Sequence, residues 1–240
     1  MLKSIVSSPR RTAKTNEQFI RNRMIAEKGD GYIRVGTFTT ELVWGKHSYV
    51  FSKLPKKKEK DFNKGMFLFG MVRRDAKKYL RENPHIRLPK KYNQVEYASN
   101  IAIDFTGTVA GTDLNHAYWR IAYNLGIISD MTYLKGLPDK FKAVRLAALS
   151  TMGASKKYFK IKKGVITDEI KIIGGDESLQ VVYKLIRYTC YRHMHNVKRL
   201  LGTDFLAYKT DAIYYINTTE NRRLVREYFK EKDLLAKQLS

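Results

Sequence analysis

Apolar and polar positions alternate along this chain with two periods, and the switches between them sketch its elements. Residues 32–39 and 41–51, rich in Val, Trp, Tyr and Phe, read as a strand-like pair after the break at Gly29-Asp30-Gly31. Residues 66–82 read as an apolar segment running into a basic helix that Asn83-Pro84 ends. Residues 96–105 and 107–113 are two extended stretches parted by Thr106-Gly107, and 114–125 has helical spacing that closes at Gly126. Residues 138–156 form the clearest helical pattern, with Ala143, Val144, Leu146, Ala147 and Leu149 on its apolar side. Residues 161–173 predict a hairpin punctuated by Gly164, and 177–201 a long helix capped by Gly202. A second hairpin carries Asp211 at its tip, and 220–239 completes the chain as a helix.

Two polar segments interrupt this pattern. Residues 1–30 are Arg-rich and fit either a helix over 16–27 or a flexible arm. Residues 53–64, with the run Pro55-Lys56-Lys57-Lys58-Glu59-Lys60, read as a solvated loop or as a nucleic-acid contact. A boundary near 95 would part a basic nucleic-acid-binding region, 1–95, from a core spanning 96–240.

Composition narrows the function classes. Hydrophobic residues make up 43% and aromatics 12% of 240 residues, which argues for a folded protein. The 46 Lys and Arg against 23 Asp and Glu leave a formal charge of +23, and so large an excess implies a polyanionic partner, above all nucleic acid. Residues 1–100 hold 23 of the basic and only 9 of the acidic side chains, so the amino-terminal part reads as an electrostatic grip. No wide-faced amphipathic basic helix stands out for a membrane surface, and no run of about 18 apolar residues appears. The single Cys190 rules out an intrachain disulfide and fits a reducing compartment. The expected setting is intracellular and soluble, the host cytoplasm if the protein is phage-encoded.

Candidate chemistry lies in two carboxylates far apart in sequence. Asp113 stands where an extended stretch runs into a helix, and Asp211 stands between two apolar strands. Alone, an aspartate before a helix is a common N-cap, and one at a hairpin tip a common turn former. Brought together, they can hold divalent metals for phosphoryl transfer. Asp104 competes with Asp113 if the register differs. His193 and His195 are two apart on a helix and face different sides, which argues against a metal pair.

The order of these elements resembles the palm and fingers of family B DNA polymerases over about residues 95–225. The family's first motif, Asp, two variable residues and Ser-Leu-Tyr-Pro, is matched by Asp113-Leu114-Asn115-His116-Ala117-Tyr118-Trp119, which keeps the Asp and the Tyr. Its second, Lys, three residues and Asn-Ser-x-Tyr-Gly, is matched by Arg145-Leu146-Ala147-Ala148-Leu149-Ser150-Thr151-Met152-Gly153. Its third, Tyr-x-Asp-Thr-Asp-Ser, is matched by Ala207-Tyr208-Lys209-Thr210-Asp211-Ala212, with Lys209 in place of the first Asp.

The resemblance implies an α+β fold: a palm-like antiparallel sheet backed by helices, a short fingers helix pair and a basic amino-terminal extension. It implies a minimal, divergent polymerase, viral or from a mobile element, that adds deoxynucleotides to a primer 3′-hydroxyl. Asp113 and Asp211 would be the catalytic residues and would hold Mg²⁺ or Mn²⁺, with the Leu114 carbonyl a further ligand. Arg145 and Lys142 would hold triphosphate, and Tyr118 would exclude a ribose 2′-hydroxyl. Lys56, Lys57, Lys58, Arg73, Arg74, Lys77 and Lys209 would grip DNA. Leu149 and Met152 depart from the residues that flank the nascent base pair in the family. Only about 29 residues follow Asp211, too few for a full thumb, so a processivity or priming partner would be needed unless the basic first hundred residues act as the clamp. Two other classes fit the charge: a non-catalytic nucleic-acid-binding replication or virion protein on a degenerate palm, and a ribosomal or RNA-binding structural protein.

Overall fold

A computed structural model describes residues 3–4, 13–36, 39–53, 55–88, 97–99 and 107–239. The chain is α+β, with eight α-helices and eleven strands among the described residues. It divides into two compact units that do not follow the expected boundary near residue 95. One unit comprises residues 1–64 and 153–176, the other 65–152 and 177–240.

The first unit is built on a six-stranded sheet. Its strands are β1 (Lys3–Ser4), β2 (Gly31–Val35), β3 (Thr39–Trp44), β4 (His47–Ser52), β7 (Lys156–Lys162) and β8 (Val165–Ile173), in the order β1-β4-β3-β2-β7-β8. The helix α1 (Ala13–Ala26) covers one face, and Met24 joins Ile33, Leu42, Phe51 and Ile161 in its core. Residues 41–51, expected as one strand, are two strands joined at Gly45-Lys46. Gly45 takes φ +58°, which is free of steric cost for glycine and lets the chain reverse there. The lysine run expected as a loop is instead the helix α2 (Lys56–Gly65), since Lys and Glu favour helix once Pro55 has opened it.

The second unit carries a five-stranded antiparallel sheet. Its strands are β5 (Tyr97–Ser99), β6 (Val109–Leu114), β9 (Phe205–Lys209), β10 (Ala212–Ile216) and β11 (Ala236–Leu239), in the order β11-β6-β10-β9-β5. Six helices belong to it: α3 (Phe67–Glu82), α4 (Ala117–Asn124), α5 (Asp130–Gly136), α6 (Lys142–Ser150), α7 (Glu177–Leu201) and α8 (Thr219–Glu231). The sheet buries one face. Ala110, Thr112, Leu114, Ile213, Tyr215, Phe205 and Tyr208 are all withdrawn from solvent, as are Leu179, Val182, Ile186, Cys190, Met194 and Val197 along α7. At about 25 cal/mol per Å², each such large apolar side chain contributes about 1.5–3 kcal/mol, which makes this packing the main source of the unit's stability.

Two expected helices are shorter than their pattern suggested. Residues 138–156 contain a single 3₁₀ turn, Asp139–Phe141, then α6, and by Lys156 the chain is already strand β7. Residues 220–239 split into α8 and β11. The stop is made by Asp233, which takes φ +52° while Asp233 N–H donates to the Lys230 carbonyl at 3.0 Å and Leu234 N–H to the Phe229 carbonyl at 2.8 Å. That is the hydrogen-bond pair with which a left-handed residue ends a helix, here without glycine. It returns the chain as β11 alongside β6.

Candidate functional site

The site begins with hydrogen bonds between strands. In β10, Ala212 lies opposite Asp113 of β6, and Leu114 N–H donates to the Asp211 carbonyl at 3.0 Å. The β9–β10 hairpin closes between Lys209 and Ala212, so its loop is only Thr210 and Asp211. Thr210 holds φ +58°, an unfavourable value for a β-branched residue, and Cys190 Sγ lies 3.6 Å from its carbonyl. The strained turn and the β6 terminus thus deliver two carboxylates 98 residues apart in sequence to one place. Both line a cavity of about 370 Å³ together with Leu114, His116, Tyr118, Lys142 and Leu149.

Burial, and after it the negative charge of Asp113, push the Asp211 carboxyl up to about 6. Among the described residues no Lys, Arg or His comes within ion-pair distance of either one. Lys142, exposed at the cavity mouth, is the cation that bears on Asp211, from a distance. A half-buried carboxylate repelled by a second one is a site short of positive charge, which suits a divalent cation. Two carboxylates also suit Mg²⁺, a hard ion that completes its shell with water and substrate phosphate. Among the described residues no group of three or more His, Cys, Asp or Glu gathers to cage an ion.

Arg145 is not available in the way the sequence implied. Its guanidinium is 2% exposed and donates to the carbonyls of Gly136, Leu137 at 2.7 Å and Pro138 at 3.2 Å, while Nη2 meets His116 Nδ1 at 2.8 Å. Those carbonyls belong to the end of α5 and the turn after it, where Pro138 also accepts from Phe141 N–H at 2.8 Å, so the buried cation ties down a helix terminus. It borders the cavity without offering it a free hydrogen-bond donor fork. Arg145 thus lines the cavity with its guanidinium engaged by backbone carbonyls and His116, and Lys142 is the exposed cation at the mouth.

Tyr118 does face the cavity. Its hydroxyl lies 3.2 Å from that of Tyr191 on α7, which accepts from Arg187 Nε at 3.2 Å and Nη2 at 3.0 Å. Burial and the Tyr191 hydrogen bond raise the Tyr118 phenol well above its ordinary value, so it stays neutral. Leu149 and Met152 are buried, at 1% and 5% exposure, and belong to the core around α6.

Cross-strand register defines the open face beside the carboxylates. Lys237, Asp113, Ala212, Lys209 and Tyr97 form one row across five strands, and paired residues of an antiparallel sheet share a face. Lys209 and Tyr97 are exposed, as is Lys237, which the sequence reading missed because it treated β11 as helix. In the next row Gly111 lies between Leu239 and Tyr214, and a Cβ there would come within 3.0 Å and 3.1 Å of them, so the small residue keeps the floor flat. The remaining basic candidates are dispersed. Arg73 and Lys77 are exposed on α3, and Arg74 is exposed but donates to Asp75 at 3.1 Å. Lys58 is exposed on α2, while the side chains of Lys56 and Lys57, and Asp104, lie outside the described residues. His193 accepts or donates at the Tyr228 hydroxyl, 2.9 Å away, and His195 is exposed, so the two are apart as expected.

Comparison with known proteins returned no matching family model, no matching curated protein and no matching solved structure. No helix among the described residues is long and apolar enough to cross a membrane.

Proposed function

We propose that the cavity at Asp113 and Asp211 performs metal-dependent nucleotidyl transfer, adding deoxynucleotides to a primer 3′-hydroxyl on a nucleic-acid template. The observation that carries the reading is the convergence of two carboxylates, with no ion-pair partner among the described residues, on one cavity at the edge of a sheet face. When bound there, divalent ions supply activation of the attacking hydroxyl and neutralise the leaving pyrophosphate. Asp113 and Asp211 hold them. The Tyr118 ring, fixed through Tyr191, forms the wall that selects against a 2′-hydroxyl. Lys142 draws the triphosphate to the mouth, and the row Tyr97, Lys209 and Lys237 receives the nucleic-acid backbone. The exposed Arg73, Lys77 and Lys58, within a net charge of +23, add salt-sensitive affinity.

A second reading rests on Lys209, which stands in the carboxylate row and would repel a metal: a nucleic-acid-binding protein on a palm that no longer catalyses. Primer extension with Mg²⁺ and with Mn²⁺, comparing wild type with Asp113→Ala and Asp211→Ala, separates the two. The catalytic reading expects extension by wild type alone, with DNA binding kept by all three. Binding by all three with extension by none favours the second reading and removes the first.

A further inference from the structure

The guanidinium of Arg145 is engaged by backbone carbonyls, and a further donor beside it would complement Lys142 toward substrate phosphate. We propose that His116 is that donor, a neutral imidazole whose Nε2–H hydrogen-bonds a phosphate oxygen of a bound nucleoside triphosphate; this rests on the nucleotidyl-transfer reading.

Three observations meet at this residue. First, the tautomer is fixed. A guanidinium only donates, so the 2.8 Å contact of Arg145 Nη2 makes His116 Nδ1 an acceptor and leaves the proton on Nε2. Second, that Nε2–H has no hydrogen-bond acceptor among the described residues; the nearest carboxylate, Asp139 Oδ1, is 3.9 Å away on a side chain 94% exposed. Third, the ring lines the cavity that holds Asp113, Asp211 and Lys142. The backbone is built for the placement: His116 takes φ +56° and ψ +35° at the start of α4, a left-handed turn that His and Asn accept better than most residues. Arg145 thus acts on substrate only as a positioning residue, through the imidazole that it orients. The groups around the ring are Arg145, Lys142 and Asp139, two cations against one exposed carboxylate, a balance that favours an anionic ligand.

Two substitutions split the ring in half. In His116→Asn the side-chain oxygen can replace Nδ1 toward Arg145 and the left-handed backbone is kept, but nothing reaches the Nε2 position. In His116→Gln an amide N–H reaches the Nε2 position, and the contact with Arg145 is lost. Calorimetric titration in Mg²⁺ buffer with dATP, and with deoxyadenosine as the phosphate-free control, reads the difference, with thermal melting to monitor the fold. His116→Asn is expected to weaken dATP about tenfold, the low end for a hydrogen bond to a charged group, and to leave deoxyadenosine unchanged. His116→Gln is expected to bind dATP within about threefold of wild type. The reverse order, Gln weak and Asn like wild type, would mean that the residue serves only to hold Arg145 and overturns the proposal. Equal dATP binding by wild type and both variants, abolished by Asp211→Asn, overturns the proposal and leaves the carboxylate site standing. If wild type binds no dATP, the nucleotidyl-transfer reading falls and takes the histidine with it.

Discussion

Replacing Asp211 by Asn should stabilise this protein in metal-free solution at neutral pH and do nothing in acid. The folded carboxyl titrates at about 6 against an ordinary 3.8, because burial and then Asp113 disfavour its charge. Two pKa units correspond to about 3 kcal/mol, and partial exposure of the carboxylate reduces this through screening to about 1–2 kcal/mol. The sign follows from linkage. Below the unfolded pKa both states are protonated and no penalty exists; between about 4 and 6 the native state binds more protons, so stability falls as pH rises; above about 6 the penalty is complete. The Asn variant carries no such charge. Its melting temperature should exceed wild type by a few degrees at pH 8, at about 2–4 °C per kcal/mol for a chain of this size, and match it near pH 4. Because Asp113 is the lesser cause, Asp113→Asn should recover less. Millimolar Mg²⁺ should raise the wild-type melting point at pH 8 and leave the Asp211→Asn variant unmoved. An Asn variant less stable than wild type at every pH would show that Asp211 serves the turn, and the idea of a charge-starved pair would be abandoned.

Other expectations follow from single contacts. Thr210→Gly should relieve the left-handed strain at φ +58° and raise stability by about 1 kcal/mol in chemical denaturation, while lowering primer extension because the hairpin tip is no longer pinned. Arg145→Leu should cost about 2 kcal/mol, since it leaves the buried Gly136 carbonyl and the half-buried Leu137 carbonyl without the guanidinium donor, while Pro138 keeps the Phe141 N–H; a cost below about 1 kcal/mol would refute the structural role. Asp75 is desolvated, but hydrogen bonds from Thr132 and from the Ser129 backbone and hydroxyl outweigh burial and hold its pKa low. It therefore stabilises above its unfolded pKa, and Asp75→Asn should lose most stability at neutral pH and little in acid. Lys209→Ala should reduce the salt dependence of DNA affinity by about one phosphate contact, a slope change near 0.9 in log–log form.

The sequence exposed some of this design and hid the rest for physical reasons. Apolar spacing located α7 to the residue, because its buried side recurs at helical spacing from Leu179 to Leu201, with Thr189 as a small polar member. The Asp211 hairpin was legible since Tyr208 and Ile213 alternate cleanly on either side of a polar pair. The carboxylate pairing was legible too, as order and spacing of motifs, although neither element alone announces it. Helix ends fared worse. Asp233 stops α8 in a left-handed conformation that glycine usually marks, so β11 and Lys237 were invisible. The unit boundary escaped because β7 finds its partner, β2, more than a hundred residues away, and nothing local records that pairing. The hydrogen bonds of Arg145 to the end of α5 were not legible, because only packing brings that helix end against it.

The candidate site and the core of the second unit share one sheet. The sheet spends one face on α7 and leaves the other uncovered, with Gly111, Ala212 and Ala207 keeping it shallow and with Lys209, Lys237 and Tyr97 standing up from it. The carboxylates sit where that face meets the cavity, and the buried guanidinium of Arg145 is hydrogen-bonded by backbone carbonyls rather than by them. Had Arg145 paired with Asp211, the fold would gain an ion pair and the site would lose its demand for a metal. Instead the guanidinium is held by the carbonyls at the end of α5 and by His116, beside which it lines the cavity. Asp211 is thus left, among the described residues, without a cation in ion-pair contact, and the exposed Lys142 bears on it only from a distance.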